Sequence, residues 1–237
     1  MAVYKRWKFT LLLLATLVLI LVHPLIDVAP HAAALLFDLI RATIALCAIL
    51  ILFERRQSRI VAWTLGSPTV VVSFTNYVFP GAPPLLASVL YNLLPVIFLG
   101  YTFVVILTTI FLEKNVSADH ISGAFCGYLV IGVTFGHLFS LVETLRPNSF
   151  FLAENLGPLP AGEGVRSATF IYYSLVTLTT VGYGDITPRS HLARTLSVLE
   201  AILGQFYVAV IVAALVALNV TLATEKRSQD RPPTSDQ

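Results

Sequence analysis

Apolar runs of membrane-spanning length, separated by short polar or basic stretches, recur along the chain. A helix that crosses a bilayer needs roughly 20 mostly apolar residues. By that measure the pattern predicts six spans: Phe9–Ile26, Ala33–Phe53, Ile60–Phe79, Leu85–Leu112, Ile121–Leu145 and Leu192–Leu222. Gly66, Ser67 and Pro68 interrupt the third, and Pro95 predicts a kink in the fourth. The expected fold class is an all-α integral membrane protein. Four helices over residues 1–117 form an N-terminal bundle, a two-helix module occupies 118–224, and a short polar tail covers 225–237.

Composition narrows the function classes. Hydrophobic residues make up 57% of the 237 positions and charged residues 12%, against about 25% charged in soluble domains. The mean hydropathy is +0.82. These values exclude an ordinary soluble enzyme and a disordered tail protein. A net charge of +2 gives no footprint for a nucleic-acid partner. Cys47 and Cys126 sit in apolar stretches, so a disulfide framework is not expected, and the five histidines are scattered. No paired metal-ligand spacing or organic cofactor site is visible. Membrane lipid is the expected surround.

Basic residues set the orientation, because cytoplasmic loops are enriched in Lys and Arg. Lys5, Arg6, Lys8, Arg55, Arg56, Arg59, Lys114, Lys226, Arg227 and Arg231 fall on one side of the six-span arrangement. Arg146, Arg166, Arg189 and Arg194 fall on the other. Both termini are therefore expected to be cytoplasmic, in a plasma membrane of the bacterial inner-membrane type. The basic start, apolar run and small residues near Ala32 also fit a signal peptide, but the run is long for one, and it is read as a retained span.

The loop between the fifth and sixth spans differs from the others. Residues 146–164 are polar and turn-rich, with Pro147, Gly157, Pro158, Pro160, Gly162 and Gly164. An amphipathic segment, Val165–Thr179, follows and is too short to cross the bilayer. Next comes Thr179-Thr180-Val181-Gly182-Tyr183-Gly184-Asp185. Irregular backbone at membrane depth is tolerated only where protein buries it or water lines it, so the pattern predicts a re-entrant helix and loop beside a pore or cavity. Glycine reaches positive φ without steric cost. Alternating such residues with ordinary ones can turn successive carbonyls to one side, as an all-oxygen cation ligand set. The Thr180 hydroxyl adds an oxygen at the inner end.

These residues resemble the TVGYG filter of potassium channels. Tyr172-Tyr173-Ser174 is similar to the family's aromatic pair on the pore helix. Asp185 and Pro188 follow as in the family, and Gly204 falls where its inner helix carries a hinge glycine. The resemblance covers about residues 121–224 and points to bacterial six-transmembrane channels that lack a voltage sensor.

The resemblance implies an outer helix over 121–145, a turret over 146–164, a pore helix over 165–179, a filter over 180–184 and an inner helix over 192–222. Four identical chains would surround one pore, since the motif occurs once per chain. Carbonyls of Thr180, Val181, Gly182 and Tyr183, with the Thr180 hydroxyl, would replace the hydration shell of K⁺, and Gly184 closes the filter. Tyr172, Tyr173, Val176, Thr179 and Asp185 would support it. Gly204 would act as gating hinge, and Gln205, Val208 and Val212 would line the cavity on one stripe with Val216. Ala209, Ala213, Ala214 and Ala217 would allow close helix approach near an inner gate. Val176 stands where some bacterial channels carry Glu, so a carboxylate pair with Asp185 is not expected.

Other residues carry less. No Lys or Arg occurs between Arg59 and Lys114, so the fourth span offers nothing for a transmembrane field to move. Asp38 and Arg41, at i and i+3, read as a mutually neutralising pair. Glu200 reads either as a proton-sensitive group behind the filter or as a structural acceptor for the pore helix. His137 and Glu143 read as polar contacts in the outer part of the fifth span, and His191 as a solvated loop residue. No ligand-binding domain is expected after Thr224. The leading expectation is a K⁺-selective channel. The alternatives are a non-conducting receptor or accessory subunit with a pore fold, and a poorly selective cation channel.

Overall fold

In a computed structural model the chain is described over residues 2–22, 30–53, 58–74, 84–112, 118–153, 157, 159 and 162–229. The ends of the expected first and third spans (23–26 and 75–79), Lys114 and the tail from 230 lie outside the described residues. Apolar surroundings require every backbone N–H and C=O to be bonded within the protein, and the apolar runs satisfy this as helices. These are α1 (Ala2–Leu21), α2 (Pro30–Phe53), α3 (Arg59–Val61), α4 (Ser67–Val72), α5 (Leu85–Leu112), α6 (Ala118–Leu145), α7 (Glu163–Leu178) and α8 (His191–Gln229). A π-helical turn, Ala62–Gly66, joins α3 to α4.

Among the described residues, three helical stretches are long and apolar enough to cross a membrane: Leu85–Ile110, Ile121–Leu145 and His191–Ile211. The six-span expectation therefore goes beyond what the helices support. Its third member is described only over its first part. The helical path there runs over 59–72, about 21 Å at 1.5 Å per residue, and Ser73 and Phe74 form a turn. Gly66 to Pro68 do not interrupt it. Proline lacks the N–H that an α-helix needs, and the wider π turn just before Pro68 absorbs the missing bond. Pro95 likewise lies within a single helix, α5.

Two further boundaries differ from expectation. The turret is not all loop: Phe150–Leu152 (β1) pairs antiparallel with Ile186–Pro188 (β2), in register Phe150↔Pro188 and Leu152↔Ile186. Apolar Phe150 and Ile186 are buried on this ribbon, which binds the turret to the segment just after the filter motif. Residues 225–229, expected in the tail, continue α8.

The main core joins Phe9 and Leu12 of α1, Phe37 and Ile44 of α2, Phe98 and Ile106 of α5, and Val130 and Val133 of α6 to Ala168 and Ile171 of α7. A second, aromatic cluster lies under the ribbon. The Phe150 ring centre is 4.8 Å from that of Phe170 and 5.4 Å from that of Tyr173. Phe139 packs edge-on to Tyr173 at 5.1 Å.

Candidate functional site

The site begins where α7 stops. The last four carbonyls of an α-helix lack helical partners, and here each is engaged. Leu175 O accepts Thr179 N (3.0 Å), Thr177 O accepts Thr180 N (2.9 Å), and Val176 O accepts both Val181 N (3.0 Å) and Gly182 N (3.3 Å). Leu178 O accepts the Tyr128 hydroxyl of α6 at 3.1 Å. Val176 thus supports the filter segment through its carbonyl. Thr179 is the helix C-cap, with φ −82° and ψ −1°.

Beyond it, φ is positive at Thr180 (60°), Gly182 (59°) and Gly184 (79°). Val181 and Tyr183 are absent from the positive-φ set. The alternation read from the two glycines extends two positions further back, to a β-branched threonine for which positive φ is a genuine outlier. The segment is open: Val181 is 53% exposed and Tyr183 71% exposed. Asp185 closes it. Its carboxylate accepts the Tyr172 hydroxyl at 2.7 Å and Ile186 N at 3.0 Å, and its carbonyl accepts Ala153 N at 2.8 Å.

The two tyrosines do different things. Tyr172 joins the pore helix to the outer end of the filter segment. Tyr173 belongs to the aromatic cluster, and its hydroxyl meets Ser197 Oγ of α8 at 2.7 Å. Glu200 is fully buried on α8 and bonded to the Ser174 hydroxyl. Ser174 Oγ also lies 2.6 Å from Gly132 O.

Gly204 packs against the end of α7: a Cβ there would sit 2.6 Å from Leu178 O. Close approach is thus reason enough for glycine. Gln205 and Val208 are exposed on α8, while the side chain of Val212 lies outside the described residues. Glu143 caps the turn after α6, accepting Asn148 N (2.8 Å), Ser149 N (2.9 Å) and Phe150 N (3.2 Å). Asp38 and Arg41 share a partner that their spacing does not reveal. The Tyr91 hydroxyl donates to Asp38 at 2.6 Å, and the Arg41 guanidinium lies 3.8 Å from the Tyr91 ring centre.

Sequence reasoning missed Tyr91, Asn92 and Tyr128, and gave Ser174 no role beyond its place in the motif. A signal existed for the tyrosines, since a buried Tyr hydroxyl usually finds a partner. Replacing Tyr128 by Phe deletes the bond to Leu178 O and little else. The expected loss is about 1 kcal/mol of stability, read as a lower unfolding midpoint in detergent.

The comparisons agree with this geometry. Residues 124–220 match a family described as "Ion channel". A stretch of 42 residues is 50% identical to the "Probable potassium channel protein 2" of Methanocaldococcus jannaschii. That stretch is 18% of this chain and 12% of the archaeal protein. No solved structure matches. The short helix α7, the segment after it with its alternating backbone and the match over 124–220 point the same way: this stretch of the chain is similar to ion channels.

Proposed function

We propose that the chain is one subunit of a homotetrameric, K⁺-selective channel with little intrinsic voltage dependence. The observation that carries this reading is the alternation of positive and ordinary φ over Thr180–Gly184 at the mouth of a short helix. Such a backbone suits a row of carbonyls facing one way. Carbonyls of Thr180, Val181, Gly182 and Tyr183, with the Thr180 hydroxyl, replace the hydration shell of K⁺. Several sites in series keep each ion bound loosely enough to leave. The C-terminal end of α7 carries partial negative charge, which favours a cation beneath the filter.

One chain supplies one wall of such a site. The open Val181 and Tyr183, and the exposed Leu199, Ile202, Leu203 and Phe206 of α8, suit burial against three further copies and lipid. In this assembly Gln205, Val208 and Val212 line the cavity, and Gly204 lets α8 bend or pack at the filter base. With no basic residue between Arg59 and Lys114, the N-terminal helices offer little charge to a transmembrane field, where each charge is worth about 2.3 kcal/mol per 100 mV. The charge bias favours cytoplasmic termini in a plasma membrane.

The test is ⁸⁶Rb⁺ uptake into KCl-loaded proteoliposomes. Uptake that disappears when Na⁺ replaces internal K⁺ is expected. Equal uptake with either cation points to an unselective pore. Absence of uptake across pH and lipid composition points to a non-conducting subunit.

A further inference from the structure

Asn92 is fully buried in α5, and its amide makes four contacts. Nδ2 donates to Ser88 O at 3.0 Å and to Glu163 Oε2 at 3.1 Å. Oδ1 accepts the Ser167 hydroxyl at 3.1 Å and faces His137 Nδ1 at 3.3 Å. A primary amide has two N–H donors and two lone pairs, so its capacity is filled. The assignment is forced: Ser88 O can only accept, which puts Nδ2 there and Oδ1 toward His137. His137 therefore carries its proton on Nδ1, and this ring nitrogen donates.

Glu163 and Ser167 lie in the first turns of α7. Glu163 is also paired with Arg166, which donates to Thr144 of α6 at 3.0 Å. The N-terminal end of the pore helix is thus held by a side chain from α5, in the region that precedes the ion-channel match.

Tyr91, one residue earlier, packs edge-on against His137 with ring centres 6.4 Å apart and also reaches α2. Consecutive residues lie about 100° apart around a helix. Tyr91 donates to Asp38 of α2 and lies under Arg41, whose Nη2 donates to Ser73 Oγ at 3.0 Å. Arg41 and His137 also line one small cavity with Thr69. A single turn of α5 therefore connects polar side chains of α2 and the end of α4 to the pore helix.

We propose that Asn92 is a positioning residue through which the N-terminal helices set the pore helix and so the conducting state of the filter. This rests on the channel reading above. The groups that face the amide are Glu163 and Ser167 of α7, His137 of α6 and Ser88 O of α5 itself. A change in the N-terminal helices that turns α5 moves Tyr91 and Asn92 together. The pore helix then tilts about its other end, which is fixed to the filter through Val176 O. That gives the N-terminal helices a role without gating charges.

The test compares wild type, Asn92→Leu, Asn92→Asp, Glu163→Gln and the double variant Asn92→Asp/Glu163→Gln. Each is reconstituted and followed for ⁸⁶Rb⁺ flux over time, Na⁺ against K⁺ selectivity and oligomer size. Wild-type flux tests the channel reading alone; variants measured against wild type test the positioning role. Asn92→Asp sets a carboxylate against Glu163, while the double variant restores a donor across the same gap. The expected result is sustained flux at least tenfold lower, or loss of K⁺ over Na⁺ preference, in Asn92→Leu and Asn92→Asp at unchanged oligomer size. At least threefold of the Asn92→Asp loss returns in the double variant. If Asn92→Leu does not assemble, Ser167→Ala, which removes one of the four contacts, should lower sustained flux two- to threefold. Wild-type time course and selectivity in assembled Asn92→Leu, or in Ser167→Ala where that stands in, overturn the inference. So does a double variant no better than Asn92→Asp. Wild-type protein without flux overturns the channel reading and this inference with it.

Discussion

A Gly182→Ala channel is expected to carry about a thousandth of the wild-type ⁸⁶Rb⁺ flux while keeping its oligomeric size. Gly182 has φ +59°, and a Cβ built on it meets nothing within 4 Å inside the chain. The obstacle is therefore conformational rather than spatial. Holding an L-residue in the left-handed region costs roughly 1–2 kcal/mol. In the proposed homotetramer the lower figure gives about 4 kcal/mol, roughly three factors of ten in the population of the conducting backbone. Thr180 shows that the backbone bears one such residue per chain: its φ is 60°. It is tied down on both sides, by Thr180 N to Thr177 O at 2.9 Å and by Val181 N to Val176 O at 3.0 Å. Gly182 is held by the longer 3.3 Å contact to Val176 O, so less opposes its relaxation. Flux measured beside a size-exclusion profile decides the matter. Flux within tenfold of wild type would mean that the filter does not need positive φ at this position.

This site was legible because its chemistry is local. Alternating glycines, a preceding amphipathic segment too short to span and a following apolar helix are neighbours in sequence, and each is a backbone property. The amphipathic segment that the pattern places at 165–179 is helical over Glu163–Leu178. What stayed hidden depends on contacts between residues far apart in the chain. Asn92 reaches Ser167 and Glu163, Tyr91 reaches Asp38, and Tyr128 reaches Leu178 O. Nothing in a single apolar run says which of its few polar residues will meet which partner. Glu200 is buried and bonded to the hydroxyl of Ser174 on α7, a partner that lies 26 residues away in the chain. Hydropathy registers an apolar segment without saying how far its helix runs, and among the described residues the third expected span is helical over 59–72.

A second glycine is expected to matter as much, for a different physical reason. Gly136 lies in α6 against α7, and a Cβ there would stand 2.6 Å from Ile171 Cα and 2.9 Å from Ile171 N. Carbon atoms in contact prefer about 3.5–4.0 Å. These are backbone atoms, so no rotamer change can relieve the clash, and the pore helix must withdraw by about 1 Å. Three bonds cross the same interface: Ser174 Oγ to Gly132 O at 2.6 Å, Tyr128 to Leu178 O at 3.1 Å and Arg166 to Thr144 at 3.0 Å. Overpacking typically costs 1–3 kcal/mol, and each bond stretched beyond reach adds about 1 kcal/mol. The sum, about 4–6 kcal/mol, approaches the whole stability of a small domain, about 5–15 kcal/mol. Gly136→Ala should therefore yield little assembled protein, whereas Gly182→Ala should assemble and fail only in conduction. Gly100→Ala is the matched control, because a Cβ on that α5 residue meets nothing within 4 Å and alanine is the better helix former. Monodisperse Gly136→Ala protein with the wild-type unfolding midpoint would show that α6 and α7 have slack to separate. The closeness of that contact would then be no constraint on how the pore helix is held.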